Sequence, residues 1–541
     1  MVMDITSSRA PEQAAEADAP QAPAFAPAQL REAAHRVRET AYILREPSGG
    51  RVGVSFDARH LDPRAGFEHL ATLPPMYPEW LSDRAFCETH GLRFPYVGGA
   101  MANGITSPEM VIRLAQAGML GFLGTAGLPL ERMVDYIDRT AEALNPRKLP
   151  FGANLIHSPQ EPGLEMATVE LFLSRGVRRV SASAFMRLTP AVVRYAVSGL
   201  FRDAHGQVQR SNFLFAKISR PEVAEPFLKP APQKLLDQLV AEQKITADEA
   251  ALALEVPVAS DITVESDSGG HTDRRPLGPL FSVIARLRDE LQREYGFATP
   301  VRLGAAGGLG TPQAVAAAFG LGAAFVLTGS INQASVEANQ SPGVKEMLAQ
   351  ARFADVTMCP AGDMFEMGVE VQVLKRGNFF AARAKRLFEV YSTYPSIEAI
   401  EPEVREKLER EIFQQTMEDV WQKTRDFFQT RDPQEIARAE RDPRHRLALV
   451  CRWYLGLSSR WAIEGVDGRQ LDYQVWMGPA QGAFNDWARG SFLEPLEARH
   501  VDQMALNLME GAARITRASQ LRAFGAAIPP DAFDHRPLPL A

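Results

Sequence analysis

The sequence predicts an α/β protein built on a (β/α)8 TIM barrel, with an inserted helical segment after strand 5 and a mostly helical C-terminal subdomain. From Phe94 onward, short apolar runs alternate with amphipathic segments, which is typical of βα units that form a parallel sheet. Eight such runs precede Ser330, and roughly 250 residues is usual for this barrel. An open doubly wound sheet remains an alternative, because a strand count from one sequence can err by one.

The residues before the barrel divide into two parts. Residues 1–29 are rich in Ala, Pro, Gln and Glu and show no sustained apolar period. Such a segment cannot bury enough surface to offset its ordering entropy, so we predict a disordered tail. Within residues 30–93, Ala41 to Phe56 holds two short alternating runs separated by Pro47-Ser48-Gly49-Gly50, a pattern that predicts a β-hairpin.

The barrel is predicted over residues 94–335, and each strand is a short apolar run. The predicted strands are Phe94–Gly98, Met119–Leu123, Pro150–Asn154, Arg178–Ala182, Asn212–Ser219, Val256–Val264, Val301–Ala305 and Ala323–Thr328. The segment from Ser107 to Ala117 begins with an N-cap hydroxyl, a proline and an acid, which indicates a helix start. Further helices are predicted at Pro129–Leu144, Pro190–Val197, Leu277–Tyr295 and Thr311–Phe319.

The crossover after the fifth strand is longer than the others. Residues 221–255 carry two helical stretches, Pro232–Glu242 and Thr246–Leu254, where one would suffice. An insertion at the C-terminal ends of the strands would form part of a lid or a substrate wall.

The C-terminal region, residues 336–541, is predicted to be mostly helical. It contains a strongly charged helix from Arg405 to Arg425 and an apolar one from Arg444 to Leu455. A cluster of aromatic residues follows at Trp476, Phe484 and Trp487. We interpret these aromatics as core of a helical subdomain rather than as ligand contacts, since large aromatic side chains are usually buried.

Composition limits the partners and the location of the protein. The net charge of -7 and the pI of about 5.9 give no whole-chain case for nucleic acid binding. Three cysteines, Cys87, Cys359 and Cys451, match neither a disulfide framework nor a zinc pattern, so we expect no metal and a reducing cytoplasm. An apolar run of about 18 residues and a secretory N-terminus are both absent from the sequence, so membrane spanning and secretion are not expected.

The sixth predicted strand leads into Gly269-Gly270-His271. A histidine on a glycine turn at the end of a barrel strand lies where these folds place their chemistry, and imidazole exchanges protons near neutral pH. His271 is therefore a candidate catalytic residue. The alternative is a turn histidine that only caps the following helix.

Glycine clusters follow the last two predicted strands. Gly304-Ala305-Ala306-Gly307-Gly308 follows the seventh and Thr328-Gly329-Ser330 the eighth. In a (β/α)8 barrel these two loops, with a helix N-terminus, form the common phosphate site, because backbone N–H groups and the helix dipole favour an anion. The spacing does not match the dinucleotide motif G-x-G-x-x-G, so a mononucleotide such as FMN fits better than a tightly held NAD.

Five strand ends carry short motifs that can be compared with known families. They are Ala100-Met101-Ala102-Asn103-Gly104, Gly152-Ala153-Asn154-Leu155, Ser268-Gly269-Gly270-His271, Ala305-Ala306-Gly307-Gly308 and Thr328-Gly329-Ser330. Together they resemble the FMN-dependent nitronate monooxygenase and enoyl reductase superfamily over about residues 94 to 335.

Longer motifs narrow the resemblance. They are Val264 to Asp273 (V-E-S-D-S-G-G-H-T-D), Asp363 to Val369 (D-M-F-E-M-G-V) and Gln372 to Gly377 (Q-V-L-K-R-G). These motifs closely resemble the PfaD-type trans-acting enoyl reductases of polyunsaturated fatty acid and polyketide synthases. The likeness covers nearly everything after the predicted tail.

The resemblance implies roles around the flavin ring. Met101, Asn103 and Asn154 would border the ring, with backbone contacts from Ala100. Lys217, at the end of the fifth strand, would place a cation near the flavin N1 and C2 oxygen, where reduction accumulates negative charge. The alternative for Lys217 is a lysine that extends from a strand end into solvent.

The resemblance also implies roles around the flavin tail. Glu265 and Asp267 would position the imidazole or the ribityl hydroxyls, although carboxylates at strand ends often only cap helices. The ribityl chain and phosphate would be held by Gly269, Gly270, Gly307, Gly308, Gly329 and Ser330.

The implied activity is reduction of α,β-unsaturated thioesters on an acyl carrier protein, with FMN as cofactor and NADPH or NADH as reductant. His271 would polarise the thioester carbonyl or supply the α-proton, two roles that the sequence does not separate. The alternatives are a nitronate monooxygenase-type oxidase of small substrates and a non-catalytic synthase scaffold. The long helical region argues against the first, and the intact flavin motifs argue against the second. A homodimer is left open.

Surfaces of acyl carrier proteins are generally acidic, so the enzyme is expected to offer a basic docking site. Within twelve residues, five cations surround Phe379 and Phe380, namely Lys375, Arg376, Arg383, Lys385 and Arg386. We expect carrier docking here, near the barrel mouth. The alternative is an ordinary solvated helix face or pairing with the acids of Arg405 to Arg425.

Overall fold

The computed structural model describes residues 22–158 and 161–540, which form two compact units. The smaller unit holds the described residues up to Tyr77 together with Arg514–Asp534. The larger unit holds the described residues of Pro78–Ala513 and those from His535 onward.

The smaller unit contains helix α1 (Pro27–His35) and an antiparallel sheet of β1 (Ala41–Arg45), β2 (Val52–Ser55) and β3 (Glu68–Leu73). β1 lies in the middle, and its pairing with β2 aligns Tyr42 with Ser55 across the hairpin. Its core joins residues from both ends of the chain, including Leu30, Ile43, Val54, Ala518 and Leu521.

The predicted disordered tail extends too far along the chain. Residues 1–21 lie outside the described residues, but Ala24 and Val54 exchange two backbone hydrogen bonds of 2.7 and 3.0 Å. α1 begins at Pro27, inside the predicted tail. Ala24 thus extends the edge of the sheet, and packing supplies the stability that the local composition lacks. The third strand was not predicted.

The larger unit is organised around a parallel barrel. Its strands are β4 (Tyr96–Gly98), β5 (Leu120–Leu123), β6 (Gly152–Ile156), β7 (Arg179–Ser183), β8 (Phe201–Arg202), β9 (Val208–Gln209), β10 (Phe213–Ile218), β11 (Asp261–Glu265), β12 (Gly270–His271), β13 (Arg302–Ala306), β14 (Phe325–Thr328), β15 (Val356–Pro360) and β16 (Glu370–Leu374). Eight of them close in the order β10-β11-β13-β14-β4-β5-β6-β7. The structure thus confirms the predicted TIM barrel.

One barrel strand is much shorter than predicted. β11 begins at Asp261, five residues after the expected start at Val256. The backbone N–H groups of Val258 and Ala259 donate to Lys229 and Phe227 at 2.9 Å each, so they pair with the inserted segment instead of a barrel neighbour.

Helices cover the barrel and build the C-terminal region. In the larger unit they are α2 (Arg84–His90), α3 (Pro108–Gln116), α4 (Leu130–Leu144), α5 (Pro162–Ser174), α6 (Pro190–Val197), α7 (Pro221–Leu228), α8 (Gln233–Ala241), α9 (Ala247–Leu252), α10 (Leu277–Tyr295), α11 (Pro312–Gly320), α12 (Pro342–Ala349), α13 (Phe380–Thr393), α14 (Pro402–Leu408), α15 (Met417–Arg431), α16 (Pro433–Arg441), α17 (Pro443–Glu464), α18 (Ala480–Ala488) and α19 (Val501–Ala523), whose last residues belong to the smaller unit. The Ser107 hydroxyl caps α3 as predicted, accepting from the Met110 N–H. The insertion holds three helices, not two, because α7 precedes the predicted pair.

The N-terminal end of the barrel is closed by α2. Phe86 stacks on Phe325 with ring centroids 4.5 Å apart, deep in an aromatic cluster. Beside it, the Asp261 carboxylate accepts hydrogen bonds from Arg302 at 2.7 and 3.0 Å and lies 3.1 Å from the His90 Nε2. Asp261 and His90 are fully buried, so this end of the barrel is a structural plug.

The C-terminal region is mostly helical, as predicted, but it also contains a small antiparallel sheet. β15 and β16 form an antiparallel hairpin, and β12 adds to it as a third strand. The predicted helix from Arg405 to Arg425 is broken into α14, a π-helical turn at Glu409–Phe413 and α15. The break falls at Gln414, whose φ of 58° is left-handed and ends the helix.

The interpretation of the three aromatic residues as core of a helical subdomain was wrong in part. Phe484 is buried in the core cluster of the barrel and Trp487 packs against it. Trp476 packs on the helical core but also lines the cavity described below.

Candidate active site

A cavity of about 1280 Å³ opens at the C-terminal ends of the barrel strands. All predicted site residues line it, which are Ala100, Met101, Asn103, Asn154, Lys217, Glu265, Asp267, Gly269, Gly270, His271, Gly307, Gly308, Gly329 and Ser330. Residues of α15, α17 and the loop between β15 and β16 complete the wall. The structure therefore brings the predicted positions together and adds a wall from the C-terminal region.

The asparagines at the first and third strand ends are held in fixed geometry. Asn154 is buried in the middle of β6, and its Nδ2 donates to the Ser181 carbonyl and the Ser183 hydroxyl, each at 2.8 Å. Asn103 has a left-handed φ of 56°, and its backbone N–H donates to Ala126 at 2.7 Å. The side chain of Asn154 and the backbone of Asn103 are thus fixed by contacts within the protein.

The two glycine loops present bare backbone to the cavity. Gly307 and Gly308 have left-handed φ values of 86° and 70°. A Cβ on Gly307 would lie 2.5 Å from the Ser266 hydroxyl, whereas Gly308 and Gly329 face open space. No described residue accepts a hydrogen bond from the N–H of Gly308 or Gly329. These donors are what a phosphate would require.

Lys217 and Glu265 form an ion pair inside the cavity. Lys217 Nζ donates to Glu265 Oε1 at 2.8 Å, and the Ser268 hydroxyl donates to the same oxygen at 3.0 Å. The lysine side chain is 28% exposed, so it does not extend into solvent. The carboxylate holds the ammonium group at the mouth of the barrel.

His271 lies on a short strand and not on a free turn. Gly270 and His271 form β12, which pairs antiparallel with β16 so that His271 faces Val371 in register. The next helix, α10, begins at Leu277 and has Pro276 as its N-cap. His271 therefore does not cap that helix, and its imidazole is left for another role.

Asp363 is a partner of His271 that belongs to one of the family motifs but was not predicted as a site residue. The His271 Nε2 lies 3.2 Å from the Asp363 Oδ1. Burial would raise the pKa of the Asp363 carboxyl, but the hydrogen bond and charge of His271 outweigh it and leave this pKa below its ordinary value. Its place in the motif Asp363 to Val369 was the signal in the sequence that could have suggested it as a site residue.

The loop that carries Asp363 is anchored to the helical core. Arg452 donates from Nε to the Gly362 carbonyl at 2.9 Å. His445 is buried between two carboxylates, with Nδ1 2.8 Å from Glu366 and Nε2 3.0 Å from Glu435. The hydrogen bond from His445 lowers the pKa of Glu366. The loop is thus fixed from α16 and α17.

Residues of the C-terminal region also support the loops after the sixth and eighth barrel strands. Gln372 of β16 donates from Nε2 to the Asp267 carboxylate and to the Ser268 carbonyl, both at 2.7 Å. The Gly478 N–H donates to the Ser330 hydroxyl at 2.9 Å. Asp267 therefore has a structural partner, and Ser330 is oriented by a residue far along the chain. Sequence reasoning missed Gln372 as a site residue.

The predicted basic docking cluster is largely neutralised. Arg376 lies 3.7 Å from Asp355, Arg386 lies 3.2 Å from Glu389, and Arg383 is paired with the buried Asp472. Phe380 is buried. The cluster does not line the cavity, and carrier docking at this cluster stays a prediction. Besides Lys217, the lysine and arginine residues that line the cavity are Arg220, Lys423, Arg431, Arg452 and Arg460.

The described part of the chain contains neither a candidate metal site nor a candidate membrane-spanning helix. No group of three or more His, Cys, Asp or Glu side chains there could hold a metal ion. None of its helices combines the length and apolar character that a membrane span needs.

Comparison with models of protein families identifies the family of this barrel. Residues 85–382 match the family model described as nitronate monooxygenase. Residues 394–473 match the model described as acyl-carrier-protein S-malonyltransferase, inserted helical domain. The chain belongs to the nitronate monooxygenase family.

Individual relatives narrow the assignment. The enoyl reductase domain of MlnA from the macrolactin biosynthesis cluster of Bacillus amyloliquefaciens is 36% identical, with a TM-score of 0.79 over 82% of this chain and 99% of that one. A polyunsaturated fatty acid synthase polypeptide of Thraustochytrium sp. is 43% identical over 488 residues, 89% of this chain and 32% of that protein. Polyketide biosynthesis protein PksE of Bacillus subtilis is 45% identical over 431 residues, 80% of this chain and 56% of that protein. The chain spans only part of these two curated relatives. Within the family it is of the PfaD type, as the motif resemblance implies.

Proposed function

We propose that the protein is an FMN-dependent enoyl reductase that uses NADPH or NADH to reduce α,β-unsaturated thioesters carried on an acyl carrier protein. The observation that supports this most strongly is the convergence of the glycine loops, the Lys217–Glu265 pair and His271 on one cavity. The MlnA relative is an enoyl reductase domain, and the other relatives are a polyunsaturated fatty acid synthase subunit and a polyketide biosynthesis protein.

The residues at the strand ends fit FMN. Gly308 and Gly329 offer unused N–H groups beside open space, where a side chain would obstruct a phosphate. Ser330, Gly307, Gly269 and Gly270 would complete the hold on the phosphate and ribityl chain. Ala100, Met101, Asn103 and Asn154 would border the ring, with Lys217 near its N1 and C2 oxygen. Bound there, FMN supplies hydride transfer from the nicotinamide and on to the β-carbon of the thioester.

Residues of the chain itself would stabilise the developing charge and donate the proton. Lys217 places a positive charge where negative charge accumulates on reduction, and Glu265 holds that ammonium group in place. Asp363 occupies the His271 Nε2, which leaves Nδ1 for the substrate. From Nδ1, His271 donates a hydrogen bond to the thioester carbonyl or passes a proton to the α-carbon.

A second function is favoured by the matched family model, which is described as nitronate monooxygenase. Such an enzyme oxidises a small substrate with oxygen and needs no acyl chain. The apolar cavity wall contributed by α15 and α17 is more than a small substrate requires.

One experiment separates the two functions. The purified protein is reduced anaerobically with NADPH, and the flavin absorbance is followed after addition of crotonyl-pantetheine. In a parallel anaerobic sample, the oxidised flavin is mixed with an alkyl nitronate. Reoxidation of the reduced flavin by the enoyl thioester, with the saturated thioester as product, is the expected result. Reduction of the oxidised flavin by the nitronate, without reoxidation by the thioester, would replace the proposal by the second function, and absence of both reactions would indicate a synthase scaffold. The His271→Ala variant serves as the control, because it should keep its flavin while losing the thioester reaction.

A further inference from the structure

Four large apolar side chains that remain exposed on the protein line the same cavity. They are Ile156 at 37%, Met186 at 57%, Met367 at 70% and Phe427 at 51% exposure. Scattered exposed apolar residues are normal on a protein surface, but apolar side chains gathered on one concave wall indicate a ligand.

The four side chains come from two parts of the larger unit. Ile156 ends β6 and Met186 follows β7, so both belong to the barrel. Met367 lies in the loop between β15 and β16, and Phe427 lies on α15. The Arg431 guanidinium of α15 donates to both Glu161 oxygens at 3.1 and 3.0 Å, which ties this helix to the segment that follows β6. Barrel and helical residues thus line one cavity, and these four side chains make up its exposed apolar wall.

This wall is separate from the groups assigned to the flavin. None of the four belongs to the glycine loops or to the residues proposed to border the ring. The cavity of about 1280 Å³ also exceeds the roughly 300–1,000 Å³ that a single small ligand occupies. A second, apolar ligand can therefore lie beside the cofactor.

We infer that the wall is an acyl-chain subsite, in which Ile156, Met186, Met367 and Phe427 bind the hydrocarbon tail of the thioester substrate and set the chain length accepted. This inference rests on the proposed function. Asp363, the partner of His271, and Met367 lie on one short loop, so a thioester at His271 would extend its tail toward Met367. The unbranched methionines adapt to tails of different shape.

Binding of unreactive products tests the subsite apart from catalysis. Saturated acyl-pantetheine thioesters from butyryl to palmitoyl are titrated into the flavin-loaded protein by calorimetry. Affinity should increase about fourfold for each methylene buried, until the subsite is full. Met367→Trp should fill the subsite and weaken lauroyl and palmitoyl binding about tenfold or more, with butyryl changed less than about twofold. Phe427→Ala should shift the best chain length in the opposite direction, toward longer chains.

A matched control lies elsewhere on the same unit. Val283 of α10 is 52% exposed and does not line the cavity, so Val283→Trp should leave the whole chain-length profile unchanged. An affinity independent of chain length, or equal effects of Met367→Trp and Val283→Trp, would overturn the subsite. Reduction of a crotonyl thioester is measured in parallel. If it proceeds while the chain-length pattern is absent, only the subsite fails. If the pattern is present without reduction, only the proposed function fails.

Discussion

Lys217 and Glu265 stand on neighbouring parallel strands with the ammonium nitrogen 2.8 Å from a carboxylate oxygen, both facing the cavity. The pair is only partly exposed, at 28% and 14% for the two side chains, so solvent screens it weakly. The positive charge of Lys217 would stabilise a ligand that becomes anionic, whereas the negative charge of Glu265 would destabilise it.

The first prediction separates these two charges. Lys217→Met leaves an unpaired carboxylate beside the flavin site and should slow flavin reduction by NADPH about 10²-fold. Glu265→Gln keeps the cation and should slow the same step much less. The measurement is anaerobic stopped-flow reduction, with Lys217→Arg as the charge-conserving control. Equal losses in Lys217→Met and Glu265→Gln would show that the carboxylate has a role of its own.

A second prediction concerns the phosphate loops. Gly308→Asp should abolish most flavin binding, because a carboxylate would stand where the phosphate is proposed to lie. Gly296→Asp is the matched control, since Gly296 has a φ of 65° against 70° at Gly308 and also faces open space. Both variants carry the backbone strain of a left-handed residue, about 1–2 kcal/mol, but only one should lose flavin absorbance. A Gly308→Asp variant that folds and keeps full flavin would refute the phosphate assignment.

The His271–Asp363 contact leads to a prediction about the thioester half-reaction. The pKa of Asp363 lies below its ordinary value of 3.8, so the carboxylate stays charged at neutral pH and the contact is lost only as the pH falls through that lowered pKa. In Asp363→Asn a neutral amide replaces the carboxylate beside the His271 Nε2. The rate of thioester reduction should therefore fall about tenfold at neutral pH.

Separating this role from a merely structural one requires both half-reactions. Asp363→Glu should restore most of the wild-type rate of thioester reduction, whereas flavin reduction by NADPH should be unchanged in both variants. An equal loss of rate in the two half-reactions would count against positioning of His271 by Asp363.

The buried plug at the other end of the barrel predicts a stability effect without a catalytic one. Burial would raise the pKa of Asp261, but His90 and Arg302 outweigh it and hold this pKa well below its ordinary value, so its stabilising contribution is lost as the pH falls through that lowered pKa. Burial lowers the pKa of His90, so proton uptake by the unfolded chain below about pH 6.5 also favours unfolding. Both groups make the fold less stable in acid.

Asp261→Asn should lower the free energy of unfolding by about 3–5 kcal/mol, because it leaves Arg302 buried without its counter-charge. Denaturant titration at neutral and mildly acidic pH measures this. The exposed Asp289→Asn, which also loses an arginine partner, should cost at most about 1 kcal/mol. An Asp261→Asn loss as small as this would mean that the network does not stabilise the barrel.

The last prediction concerns the carrier protein. Arg460 of α17 lines the cavity, is exposed, and forms no ion pair with any residue of the described ranges. Arg460→Glu should reduce the rate with carrier-bound enoyl substrate, more strongly at low salt, and leave a free pantetheine thioester unaffected. Lys375→Glu is the comparison at the originally predicted cluster and should have little effect. Reversal of this order would return docking to residues 375–386.

Local patterns in the sequence were sufficient to predict the barrel and the positions of the glycine loops at the ends of its strands. Helix α6 and helix α10 begin and end at the predicted residues, because proline and apolar periodicity mark their limits. The start of β11 was misplaced, since Val258 bonds to a residue of the insertion that no local pattern identifies. The alternation of Val369, Val371 and Val373 in the β16 region was available as a strand signal and went unused. Its partner β12 is about a hundred residues away in the sequence. No local pattern therefore predicts the pairing of β12 with β16.

Gly269 and Gly478 come so close that a Cβ on Gly269 would lie 2.8 Å from the Met477 nitrogen, and one on Gly478 would lie 2.9 Å from the Gly269 nitrogen. The catalytic barrel and the segment that precedes α18 are therefore fitted to each other backbone to backbone. In a chimera of two relatives, a recombination point in the chain between Gly269 and Gly478 would take these two segments from different proteins. Their backbones would then no longer be fitted to each other at this close approach. Exchange between relatives should succeed when the whole stretch from the first barrel strand through α18 is transferred as one piece.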